Sequence, residues 1–122
     1  MPAGLPKPIC NDLWVRGIHE LALGDAAGAI RSWTKAREYA LRAAGEDGGP
    51  ATVDIEGSFL VLLTSGYLGL ARWIGGDVKG RGQYHSAIAA FQAKLETQDA
   101  KEAKLALGQL KKTRSTYGPH NA

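Results

Sequence analysis

The residues best suited to nucleophilic or metal chemistry are one cysteine, Cys10, and three histidines, His19, His85 and His120. A metal or catalytic centre needs several such groups at short, repeated spacing. His19 has only Glu20 beside it, and none of the four has another Cys or His within a helical turn. A lone thiol usually packs as a small hydrophobe, and no family signature surrounds Cys10. The Glu-x-x-His pair of a metal-carrying helical bundle is absent from the sequence. These features lead to the expectation of a protein that is not an enzyme and that carries no metal or cofactor.

A second kind of chemistry is the binding of phosphate. Gly75-Gly76-Asp77-Val78-Lys79-Gly80-Arg81-Gly82 holds four glycines and two cations. It reads as a loop ahead of a helix starting near Gln83, with Gly80-Arg81-Gly82 at the helix entrance. Backbone N–H groups converging at a helix start can hold an anion. No strand precedes the segment, and it fits neither the P-loop nor the dinucleotide fingerprint. A flexible connector is the simpler expectation.

Net charge is +3 but unevenly spread. Residues 1–71 carry six Lys/Arg against eight Asp/Glu, and residues 72–122 carry nine against four. Lys79, Arg81, Lys101, Lys104, Lys111, Lys112 and Arg114 are therefore the candidate polyanion contacts. Single-strand binders interleave cations with aromatic platforms, and on the last basic segment only Tyr117 is aromatic.

The elements that must position these groups read as helices throughout, giving an all-α fold of about five helices in antiparallel hairpins. Residues 1–10, rich in proline, read as an extended arm. Residues 11–117 read as one domain: a hairpin over 11–45, a second over 52–97 and a capping helix over 99–117. Residues 118–122 read as a frayed tail. Asn11 or Asp12 caps the first helix, whose stripe is Leu13, Trp14, Ile18, Leu21 and Ala22. Gly24 stops it and Asp25 caps the second helix, which Gly45 would end in a left-handed conformation.

Thr52 or Asp54 starts a third helix whose apolar residues surround the cylinder, as in a central helix. Its most apolar stretch, Phe59 to Ala71, is thirteen uncharged residues. A membrane span needs roughly 20, so a membrane partner is not expected. Asp99 with Glu102 resembles a capping box for the last helix. There Ala103, Ala106, Leu107, Leu110 and Tyr117 share one side, with the lysines opposite and Leu105 as the exception. The single cysteine and the lack of an apolar leader point to a cytoplasmic protein.

Gly24-Asp25 at the turn is followed by Ala29, Trp33 and Ala36, with Gly17 in the preceding helix. This resembles a tetratricopeptide repeat, in which small residues let two helices approach and an aromatic fills the groove to the next pair. In a looser second copy, Leu68-Gly69 resembles the first-helix pair, and Tyr84, Ala87, Ile88 and Phe91 the second-helix pattern. Between these two stretches stand about six residues more than such a repeat usually has. Lys94 replaces the final alanine, and no proline ends either copy. Gly17, Ala29, Trp33, Ala36, Gly69, Ala87 and Phe91 are the hairpin-packing candidates.

The resemblance implies a non-catalytic adaptor that binds a protein partner or itself. Two repeats make a thin solenoid, so a homo-oligomer or larger assembly would supply a neighbour. The alternative is a small helical subunit of a nucleic-acid complex, comparable in size and helicity to the small subunits of CRISPR effector complexes. Convergence of the cations on one surface would favour that alternative.

Overall fold

A computed structural model describes the backbone over residues 6–48, 59–98 and 100–117, and side chains over 12–42, 61–98 and 100–117. Among the described residues five helices follow in order: α1 Pro6–Ala22, α2 Ala26–Gly48, α3 Phe59–Ile74, α4 Val78–Lys94 and α5 Ala100–Tyr117. No strand occurs among the described residues. Sequential neighbours pack together: α1 on α2, α2 on α3, α3 on α4, and α5 against both α3 and α4. The protein is a small all-α helical bundle.

Both hairpins turn in the same way. At the end of α1, the Asp25 N–H donates to the Glu20 carbonyl (2.8 Å) and the Gly24 N–H to the Leu21 carbonyl (3.0 Å). At the end of α3, the Asp77 N–H donates to the Arg72 carbonyl (2.8 Å) and the Gly76 N–H to the Trp73 carbonyl (3.0 Å). This is the Schellman pattern, which requires a left-handed residue just past the helix. Gly24 (φ 78°) and Gly76 (φ 100°) fill that position. The next residue is aspartate in both turns, and its carboxylate starts the following helix. Asp25 Oδ1 accepts from the Gly28 N–H at 2.8 Å, and Asp77 Oδ1 from the Lys79 N–H at 2.9 Å.

The two helix starts then differ by one residue. The Ala29 N–H reaches back four residues to the Asp25 carbonyl, whereas the Gly80 N–H reaches back three, to the Asp77 carbonyl. The tighter turn brings the buried small residue of α4 one position sooner after its cap. Gly80, Tyr84, Ala87 and Phe91 therefore repeat the buried row of Ala29, Trp33, Ala36 and Ala40.

The glycines sit at the helix crossings. A Cβ on Gly17 would fall on the Trp33 indole, and one on Gly69 would lie 2.7 Å from the Tyr84 nitrogen and 2.8 Å from the Gly80 carbonyl oxygen. The Trp33 indole lies fully buried against α1 and donates its N–H to the Trp14 carbonyl at 3.0 Å. Tyr67 of α3 joins the same cluster, its ring 5.0 Å from Trp33 and 5.5 Å from Trp14. Ala87 faces Gly66 rather than Gly69. Val61, Tyr67, Leu68, Leu70 and Ala71 are all buried, so α3 is the central helix.

Four sequence expectations are corrected. The arm over 1–10 is helical from Pro6 onward. Proline suits a first turn, where its missing N–H has no partner to lose. Next, α2 runs through Gly45 to Gly48, because glycine permits the left-handed conformation without imposing it. The glycine-rich segment is a three-residue turn, Gly75-Gly76-Asp77, and Val78 to Gly82 open α4. The apparent extra residues of the second hairpin are thus helix, and the counterpart of Trp33 is Tyr84 rather than Phe91. Finally, Thr113 takes the inward place expected for Tyr117, which runs past the end of the core and is exposed. Thr52, Asp54, Asp99 and residues 118–122 lie outside the described residues.

Candidate functional site

Helix direction decides which charged residues meet. The α3–α4 turn places the end of α3 beside the start of α4. Because α5 runs antiparallel to α4, its C-terminal end comes to the same place. Trp73 is the last aromatic of α3 and is half-buried there. The guanidinium carbon of Arg114, from α5, stands 4.7 Å from the Trp73 ring centre and 5.8 Å from that of Tyr84. The guanidinium carbon of Arg81, from α4, stands 5.9 Å from the Trp73 ring centre. His85 lies one turn beyond Arg81, exposed, with its ring 5.5 Å from Trp73 and 5.3 Å from Tyr84. Beside them the Arg72 guanidinium donates to the Gln83 side-chain oxygen at 3.0 Å.

The electrostatics follow from this crowding. Partial burial and the positive charges of Arg114 and Arg81 hold the His85 imidazole below its usual pKa. Burial pushes the Tyr84 phenol up, and the charge and hydrogen bond of Arg114 pull it part of the way back. Asp77 is an acid at this end, and its carboxylate is engaged with the Lys79 N–H; Asp25, in the turn beside it, is likewise engaged with the Gly28 N–H. Glu96 and Glu102 lie at the far end, around the α4–α5 turn.

The predicted polyanion contacts divide. Arg81 and Arg114 converge on Trp73, whereas exposed Lys79, two residues before Arg81, lies about 160° round α4 from it. Counting about 100° per residue, Lys111 lies about 60° round α5 from Arg114 and Lys112 about 160°, on the far side. Lys101 and Lys104 are exposed at the other end of α5, about 15–20 Å along the axis from Arg114. The hairpin-packing candidates Gly17, Ala29, Trp33, Ala36, Gly69, Ala87 and Phe91 are all buried. No known protein family, characterised protein or solved structure matches this chain.

Trp73 and His85 are the members of this edge that lie outside the predicted polyanion contacts. A signal existed: Arg81 and His85 are four residues apart, one helical turn, and so share a face of α4. One α5 cation, Arg114, finds aromatic partners on other helices. Elsewhere, Asp12, Leu13, Arg16, Lys35 and Tyr39 line an open hollow of about 370 Å³ between α1 and α2. Trp14 Nε1 is buried in the first hairpin beside the Tyr67 hydroxyl. His19 is exposed, and the described residues contain no cluster of three or more His, Cys, Asp or Glu able to hold a metal. No described helix is long and apolar enough to cross a membrane.

Proposed function

We propose that this chain is a non-catalytic interaction module, a short tetratricopeptide-like scaffold that works in a homo-oligomer or a larger protein assembly. One observation carries the reading. Two consecutive hairpins share one turn geometry, one capping aspartate and one small-residue crossing, at Gly17 and at Gly69. Stacked repetition of one supersecondary unit is the device by which helical solenoids build extended binding surfaces. The last helix fits a capping role, with Ala103, Ala106, Leu107 and Leu110 inward and Lys101, Lys104, Lys111 and Lys112 outward.

Light scattering after size-exclusion chromatography tests the assembly part of the reading. A mass above the 12.9 kDa of one chain, falling on dilution, is the expected result. A monomer at every concentration would remove self-association and leave only a foreign partner. Measured turnover of a small-molecule substrate would overturn the non-catalytic reading.

A further inference from the structure

We infer that the edge around Trp73 binds single-stranded nucleic acid. Binding a single strand takes cations that follow the backbone and flat groups on which bases stack. Both are present here on side chains from three helices: Trp73 from α3, Arg81 and His85 from α4, and Arg114 from α5. The juxtaposition is therefore tertiary and is not a by-product of charge running along one helix. The exposed Arg81 guanidinium offers a planar fork of N–H donors that suits a phosphate oxygen pair, and Arg114, half-buried and hydrogen-bonded to Tyr84, adds positive charge beside it. Exposed His85 and the Arg81 guanidinium are planar groups on which a base can stack.

The charge balance points the same way. Asp77 at this end, and Asp25 in the neighbouring turn, have their carboxylates turned to their own helix starts. Lys111 extends the positive edge along α5. An acidic peptide would use the cations but leave the planar groups idle, so nucleic acid accounts for more of the arrangement. The inference stands apart from the scaffold reading, since any helical frame with this edge would serve.

The test is fluorescence anisotropy of a dye-labelled, mixed-sequence single-stranded RNA of roughly ten nucleotides, titrated with the full chain. Binding is expected, falling steeply between about 50 and about 200 mM salt. The double variant R81A/R114A should weaken it by about tenfold or more, and K101A/K104A, at the far end of α5, by less than about twofold. Should R81A/R114A lose its helical circular dichroism, R81A alone, at an exposed residue, decides with an expected loss of about threefold or more.

Binding should quench tryptophan emission, and W73F should abolish the quench. Four results would overturn the inference: no binding at low salt, equal losses from R81A/R114A and K101A/K104A, a folded R81A/R114A or R81A that binds as well as the parent, or displacement by polyglutamate as effective as by unlabelled RNA. The last result would assign the edge to acidic peptides.

Discussion

The Trp33 indole lies against Gly17, and only the missing Cβ of that glycine lets it reach the Trp14 carbonyl, 3.0 Å away. Gly17→Ala should therefore destabilise the fold by about 2 kcal/mol through overpacking. Trp33→Leu should cost about 3 kcal/mol through lost volume and the lost hydrogen bond. The double variant should cost clearly less than the sum, because the smaller side chain makes room for the methyl group. Urea unfolding of the four proteins checks this, and strict additivity would contradict the contact.

Glycines along α4 and α5 should separate by their surroundings. Gly82 and Gly108 are exposed, helical, and have nothing within 4 Å of a built Cβ. Gly82→Ala and Gly108→Ala should each stabilise by about 0.5–1 kcal/mol, the helix-propensity gain. Gly69→Ala should cost more than about 2 kcal/mol, because its Cβ would meet backbone atoms of α4. A neutral Gly82→Ala would mean that the segment before Gln83 is a loop.

The two turns should respond alike. Asp25→Ala and Asp77→Ala each remove a side-chain cap and should lower stability by about 1 kcal/mol. Gly24→Ala and Gly76→Ala force a side chain into positive φ and should cost about 1 kcal/mol each, although neither Cβ would touch a neighbour. Thermal or urea unfolding distinguishes this from a turn that is free to rearrange, for which all four changes would be silent.

His85 sets a pH dependence with a definite sign. Its pKa is lowered in the folded chain, so the unfolded chain binds the proton more readily. Its contribution to stability is complete above the unfolded value of about 6.5 and is lost as pH falls through the folded value. A proton NMR titration of the His85 ring should give a midpoint below that of a model histidine. Arg81→Ala should move the midpoint upward by removing a neighbouring charge. Tyr67 and Tyr84 behave oppositely in the alkaline range: both are raised, so the stability they bring is complete below about pH 10 and lost above it.

Much of the architecture is written in local sequence. Helical periodicity, Gly24-Asp25 and the lack of alternating runs already specify an all-α chain whose first hairpin turns at those two residues. The same dipeptide at Gly76-Asp77 marks the second turn equally well, yet the glycines around it hid it. Glycine lowers helix propensity, so Gly80 and Gly82 read as loop. What holds them in α4 is the close approach of Gly69 and Gly80 across the hairpin, a contact between residues eleven apart that no local preference encodes.

The candidate site shows the same division more sharply. Composition and spacing announce a basic second half and put Arg81 and His85 on one face of α4. Nothing in a one-dimensional pattern says which of seven cations meets an aromatic ring, because that depends on the direction of three helices. The antiparallel course of α4 brings the end of α5 back to the end of α3, and only then does Arg114 lie over Trp73 while Lys101 and Lys104 are carried to the far end. Periodicity decides what a helix buries. Packing decides which helix ends share a surface, and the charged edge of this protein exists only at that level.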